Sequence, residues 1–299
     1  MSVLQALILG LLQGATEFIP VSSSAHLTLL PWLLRWTFDP TFQLTFDVLT
    51  HWGTLLALVA VFGRDLWDLL RAGLRTLAVP DLPGIAGAGG PGRWLQRYVR
   101  GVGARIAADP TGRLAWLILV GSLPAAVLGV LLESLFKALF GAPRIVSILL
   151  CVTAGLLAFS EWRGRQHRDL PALRWLDALI VGLAQAVAIA PGISRSGATM
   201  AAGLWRGLRR EAAARFSFLL CAPAIIGAGL WQLKDLLAIP GWAADVAPLL
   251  VGLLAAAVAG YACIRFLLSY LRRGRLYPFA VYCLVVGVAC LIISFLRGT

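Results

Sequence analysis

Apolar positions along this chain gather into runs, and the lengths of the runs differ in an instructive way. Thr45–Gly63, Leu114–Leu132, Ile145–Phe159, Phe216–Leu233, Val246–Leu267 and Tyr277–Phe295 read as full transmembrane helices. Four further runs are short and come in two pairs. Residues 2–19 lead into a break at Glu17 and Pro20, and a second piece runs from Ala25 to about Trp36. Leu176–Ala190 leads into Pro191-Gly192, and a second piece opens over Ser194–Thr199. Backbone that leaves the helix at membrane depth is tolerated only where protein or a water-filled cavity surrounds it. Each pair is therefore expected to be a re-entrant helical hairpin, over residues 2–36 and 176–208. The expected fold is an all-α polytopic membrane protein with six full transmembrane helices plus two re-entrant helical hairpins.

Composition agrees. Hydrophobic residues make up 60% of the 299 residues and charged ones 13%, against about 25% charged in a soluble domain. The formal net charge of +12 would suggest nucleic acid in a soluble protein. Here it follows membrane topology, because arginines mark the cytoplasmic side, and no nucleic-acid partner is expected. With the N-terminus outside, the segments 64–113, 162–175, 206–215 and 265–275 lie inside and hold 20 of the 26 Lys and Arg. Five (Arg35, Lys137, Arg144, Lys234, Arg297) lie outside. The longest connection, 64–113, includes a Gly/Pro-rich stretch, Pro80–Gly92. After it, Arg93, Arg97 and Arg100 share one helical face with apolar residues on the other, which suits an anionic membrane surface. The five cysteines all sit in apolar runs and read as packing residues. No basic residue precedes Arg35, so no cleavable signal peptide is expected.

Sliding the chain by 172 positions lays Ala6–Gln13 on Ala178–Gln185, then Ser22 on Ser194 and Ser24 on Ser196. Eight of the 21 positions from Ala6 to His26 are identical. The charge-derived topology puts the two hairpins on opposite faces, as in an inverted-topology repeat whose broken helices meet near the midplane. A single integral membrane domain then divides into halves at residues 1–160 and 161–299.

The two breaks concentrate the polar chemistry. Ser23/Ser24 and Ser194/Ser196 are natural N-caps, and helix N-termini favour anions such as phosphate. Arg195 lies between them, and an arginine alone at the bilayer centre costs at least ~2.5–3.5 kcal/mol. A bound phosphate would offset that. Glu17 and His26 add groups for proton transfer, and His26 would activate one of the serines as nucleophile. Asp47 and His51, at i, i+4 early in Thr45–Gly63, form either a structural pair or a support for the site.

These motifs resemble those of the undecaprenyl-diphosphate phosphatase family, bacterial membrane enzymes associated with bacitracin resistance. Gln13-Gly14-Ala15-Thr16-Glu17, then Phe18-Ile19-Pro20-Val21-Ser22-Ser23-Ser24-Ala25-His26, match the family's first signature. Pro191–Thr199, with Gly192, matches its second. The resemblance extends to Phe46-Asp47-Val48 and Glu211–Pro223 and is weakest over Leu77–Asp109. It implies hydrolysis of undecaprenyl diphosphate to the monophosphate and inorganic phosphate, recycling the lipid carrier of cell-wall polymers. It also implies the bacterial plasma membrane and a site reached from the outer side. By motif position, Ser23 would be the nucleophile, Ser22 and Ser24 phosphate ligands, and His26 the acid/base. Arg195, Ser194, Ser196 and Thr199 would clamp phosphate. Glu17 would orient His26 or help hold a divalent cation. The family's Mg²⁺ or Ca²⁺ is expected to arrive on the diphosphate. The family's first acidic position is Gln13 here, which shifts weight to Glu17; Gln185, its mate in the repeat, points to a scaffold role. A homodimer is left open. The competing class is a transporter or flippase of an anionic polyprenyl lipid, since broken helices in inverted repeats are typical of transporters. An intramembrane serine protease is disfavoured, because Gly192-Ile193-Ser194 is followed by Arg195 where a nucleophile turn would need glycine.

Overall fold

A computed structural model describes residues 1–78, 91–132, 134, 135, 139, 141–237 and 246–298, without the side chains of 41, 91 and 231–237. Most of the Pro80–Gly92 stretch, together with Glu133 and Lys137, lies outside the described residues, as does the Lys234 side chain. Helices α1 (Val3–Phe18), α2 (Ser23–Leu34), α3 (Pro40–Leu77), α4 (Pro91–Ala108) and α5 (Pro110–Leu131) come first. Then follow α6 (Pro143–Arg163), α7 (Trp175–Val187), α8 (Arg195–Trp205), α9 (Arg210–Leu237), α10 (Val246–Leu271) and α11 (Tyr277–Arg297). Among the described residues six helices, α3, α5, α6, α9, α10 and α11, are long and apolar enough to cross a membrane. The chain is an all-α multi-pass membrane protein.

One boundary departs from the sequence reading. The third run, expected to stop at Gly63, continues as helix to Leu77. Its 38 residues span about 57 Å at 1.5 Å per residue, well beyond the ~30 Å apolar core of a bilayer. Arg64, Arg71 and Arg75 therefore sit on a helix, not in a loose connection. Charged residues end an apolar run without ending a helix, because Arg and Leu are strong helix formers and no Gly-Pro stop intervenes.

The short helices fall below spanning length and turn at the polar breaks. α1 packs along α10, where a side-chain carbon at Gly10 would run into the Gly252 carbonyl. α7 packs along α5 in the same way, Gly182 against the Gly121 carbonyl. Gly252, Ala256 and Gly260 thus form a close-packing face that α1 and α3 cover. Two helix axes approach this closely only where Cβ atoms are missing, as in small-residue membrane interfaces. The largest apolar cluster lies between α3, α5, α9 and α10, with Phe18 edge-on to Phe218 at 5.4 Å between ring centres.

α4 carries Trp94, Leu95 and Val99 exposed on one side and Arg93, Arg97 and Arg100 on the other. Its Trp94 ring stacks on Tyr98, whose hydroxyl donates to the Leu77 carbonyl at 2.9 Å. That bond ties the helix to the end of α3.

Candidate active site

The breaks α1–α2 and α7–α8 are built with the same bonds, 172 positions apart. Ser22 Oγ accepts from the Ala25 amide at 3.3 Å, and Ser194 Oγ from the Gly197 amide at 3.0 Å, so each caps the helix that follows. Ser22 and Ser24 hydroxyls lie 3.2 Å apart, as do those of Ser194 and Ser196. The Pro20 carbonyl accepts from the Cys283 thiol at 3.7 Å, and its mate, the Gly192 carbonyl, accepts from Thr153 Oγ1 at 3.0 Å.

The breaks also hold each other. The Gly192 amide donates to Ser24 Oγ at 3.3 Å, and Ser196 Oγ donates to the Ile19 carbonyl at 3.3 Å. Gly192 sits at φ +104°, where an added Cβ would meet Val146 O at 2.5 Å and Leu149 Cβ at 2.7 Å. Gly192→Ala combines a disfavoured backbone region with a clash against α6. We expect it to cost about 2–4 kcal/mol, read as a lower midpoint of thermal unfolding in detergent. An unchanged midpoint would mean that the break is not fixed by this contact.

Glu17 is the hub between the two breaks. One carboxylate oxygen, Oε2, accepts from Ser23 Oγ at 2.6 Å and from Gln13 Nε2 at 3.0 Å. The other, Oε1, accepts from Arg195 Nη2. The Glu17 side chain is only 3% exposed, while Arg195 above it is 23% exposed and Ser23 half-buried. The hydroxyl and the guanidinium are thus reachable, and the carboxylate linking them is not. A buried carboxylate is retained only when paired and hydrogen-bonded, and Glu17 is both. Ser23 and Arg195 are each the first residue of their helices, so side chains from the starts of two helices meet at the same carboxylate.

The structure rearranges the expected partners of the histidines. His26 does not meet Ser23 or Glu17 through its ring nitrogens. Its Nδ1 lies 2.7 Å from the Ser22 carbonyl and its Nε2 2.8 Å from the Tyr282 hydroxyl. A carbonyl only accepts, so Nδ1 carries the proton and a neutral ring accepts from Tyr282 at Nε2. The expectation that Glu17 orients His26 is not met, because Glu17 is spent on Ser23, Gln13 and Arg195. The expected Asp47–His51 pair forms through the main chain: His51 Nδ1 donates to the Asp47 carbonyl at 2.7 Å. That leaves His51 Nε2 3.9 Å from Glu17 Oε2, with the ring 40% exposed.

The remaining hydroxyls are mostly committed. Thr199 Oγ1 donates to the Arg195 carbonyl at 2.8 Å and lies 2.6 Å from Ser217 Oγ, so it braces the first turn of α8. Ser22, Ser194 and Ser196 build the breaks themselves. Residues that sequence reasoning missed are Thr153 and Tyr282, polar side chains inside apolar runs with no local motif around them, and Ser217, which lies within the matched stretch Glu211–Pro223 but was not singled out there.

The donor set does not suit a resident divalent cation. Among the described residues no group of three His, Cys, Asp or Glu converges. The central carboxylate already faces a guanidinium, and Mg²⁺ and Ca²⁺ seek several oxygen ligands.

Comparison with known proteins gives the family. Residues 6–289 match the family model described as bacitracin resistance protein BacA. The undecaprenyl-diphosphatase of Moorella thermoacetica is 41% identical over 297 residues, 99% of this chain and 100% of the relative. That of Geotalea daltonii is 41% identical over 299 residues, 99% of each chain, and that of Nitrosococcus oceani is 39% identical over 287 residues, 96% of this chain and 97% of the relative. With a family model matched over nearly the whole chain and relatives alike from end to end, the chain belongs to the bacitracin resistance protein BacA family.

Proposed function

We propose that this protein removes the terminal phosphate of undecaprenyl diphosphate, returning the monophosphate carrier to the synthesis of peptidoglycan and other cell-wall polymers. The observation that carries the reading is the shared carboxylate: Glu17 holds the Ser23 hydroxyl on one oxygen and the Arg195 guanidinium on the other. Arg195 offers five N–H donors, so it can keep Glu17 on Nη2 and present the rest of its fork to phosphate.

In the first half-reaction Ser23 Oγ forms a bond to the terminal phosphorus while its proton passes to Glu17 Oε2. The bond from that phosphorus to the bridging oxygen breaks, and the electron pair leaves on undecaprenyl phosphate. Arg195 and the first-turn amides of α2 and α8 neutralise charge on the transferring group. In the second half-reaction water attacks the phosphoserine; the Tyr282 hydroxyl gives up the Nε2 lone pair of His26, which takes the water's proton and afterwards releases it to solvent. Ser23 leaves with the proton held by Glu17, and inorganic phosphate is released. Residues 23 and 26 lie on one side of α2, which supports this place for His26. Any divalent cation would enter with the diphosphate, and no step here depends on it.

The duplicated capping bonds, the paired Gly-on-Gly contacts and the 172-position identity support an inverted repeat of halves 1–160 and 161–299, each with a re-entrant hairpin. The bias of Lys and Arg supports an N-terminus on the outer side, and the family supports the bacterial plasma membrane and a site reached from that side.

Purified protein in detergent should release phosphate from a polyprenyl diphosphate, and Glu17→Gln should lower that rate by about 10²–10⁴-fold, the usual worth of a general base. Movement of the lipid across vesicles with no phosphate release from wild type would instead establish the transporter reading.

A further inference from the structure

Between α3 and α5 the chain does more than connect. Trp116 Nε1 donates to Thr76 Oγ1 at 2.8 Å, and Gly112 lies against the Thr76 side chain. The end of α3 and the start of α5 therefore touch, and a loop of a few residues would join them. The connection between α9 and α10, its counterpart in the proposed repeat, spans only residues 238–245. This one spans residues 78–109 and includes the 18-residue helix α4.

The same contacts fix the depth at which α4 lies. Thr76 is level with Gly112 and Trp116, and the apolar run of α5 begins between those two, at Leu114. α4 is tied to the Leu77 carbonyl through Tyr98 and passes into α5 at Asp109, the cap of that helix. It therefore lies at the edge of the apolar layer. Leu95, Val99, Val102 and Ile106 form one stripe along it, at positions i, i+4, i+7 and i+11. Val102 and Ile106 are half-buried in the protein. Leu95 and Val99 are 54% and 59% exposed, and Trp94 beside them is exposed as well. The stripe is continuous, but its cover stops halfway along.

The charges on α4 say what covers the rest. The helix carries four arginines and no acidic residue. Arg93 and Arg100 are exposed on the face opposite the stripe. Arg105 lies seven residues beyond Tyr98 and so on the same flank of the helix. Its Nε and Nη2 are shielded from solvent, yet they meet no acceptor among the described residues. A shielded donor without an acceptor is costly, and a phosphate group offers the pair of oxygens that a guanidinium fork fits. A bare apolar stripe at the bilayer edge, a cationic face and an unmet guanidinium together match an anionic phospholipid. An acidic protein would meet the arginines, but it would have to displace lipid to cover the stripe at that depth.

We propose that α4 is a docking helix for anionic phospholipid at the bilayer surface beside it. Trp94, Leu95 and Val99 enter the headgroup layer, Arg105 takes a lipid phosphate, and Arg93 and Arg100 add attraction. No part of this depends on the chemistry at Glu17.

The test places the full-length protein in nanodiscs of phosphatidylcholine, alone or mixed with phosphatidylglycerol, and follows backbone hydrogen exchange over residues 93–107. Exchange there should be at least about tenfold slower with phosphatidylglycerol present, while α10 exchanges alike in both discs. Added salt should shrink the difference by screening. The triple variant Arg93→Gln, Arg100→Gln, Arg105→Gln should abolish it, and the corresponding lysine variant should keep most of it. In phosphatidylcholine the glutamine variant should exchange as wild type does, which separates a lost lipid contact from a lost helix. Faster exchange there would mean that the arginines hold α4 within the protein, and would overturn the inference. Benzoylphenylalanine in place of Val99, activated by light in native membranes, should form an adduct with phospholipid. An adduct with a second copy of this chain or with another protein would overturn the inference. So would equal exchange of wild type in the two discs, or a phosphatidylglycerol effect that survives in the glutamine variant.

Discussion

Ser23→Ala is expected to lower kcat for phosphate release by more than about 10⁴-fold, as loss of a nucleophile does in other covalent hydrolases. The fold should survive. The cap of α2 is the Ser22 side chain, and alanine is a good residue for a helix's first turn. Glu17 loses one donor and keeps Arg195 and Gln13. The loss would therefore be chemical, with melting behaviour near wild type. The decisive measurement pairs steady-state phosphate release with acid quenching after exposure to substrate labelled in its terminal phosphate. Wild type should retain label on Ser23, and the variant none. A variant within tenfold of wild type would move the mechanism to direct attack by water, with Glu17 as the base for that water.

Arg195→Lys tests the other partner of Glu17 while preserving the formal charge. An ammonium can meet Glu17 or the phosphate, but it lacks the planar fork that serves both at once. We expect kcat/KM to fall by about 10²–10³-fold, the cost of removing one preorganised charge-stabilising donor, with both kcat and KM affected. Ser194 caps α8 irrespective of residue 195, so the break should hold its form. Full activity in Arg195→Lys would sink the shared-fork model.

The sequence carried the site's location because polar residues inside apolar runs are costly, and their cost makes them visible. Glu17, Ser23 and Arg195 stand out for that reason, and the structure brings them into one bonded group. Who touches whom was less legible. His26 follows Ser23 by three positions, which invites a direct pair. The ring instead turns back to the Ser22 carbonyl and out to Tyr282, a partner no local pattern could reveal. Asp47 and His51 have helical spacing, yet the bond uses a main-chain carbonyl because histidine Nδ1 reaches back one turn easily. The end of α3 was misjudged because hydropathy marks where a bilayer ends, and hydrogen bonding marks where a helix ends. Ser22, Ser194 and Ser196 read from the sequence as phosphate ligands; the structure adds a role that reading did not show, because irregular backbone at depth needs partners, and Ser22 and Ser194 cap their helices while Ser196 donates to the Ile19 carbonyl.

The Gly-on-Gly contact between α1 and α10 has a consequence in time. α1 begins at Val3 and α10 at Val246. At about 5–20 residues per second of synthesis, α1 emerges ~10–50 s before the surface that locks it exists. Over that interval α1 lacks the helix along which most of it packs. Gly192 and Arg195 are made before Val246, so a chain truncated before α10 would carry the bonds between the two breaks without the helix that seats α1.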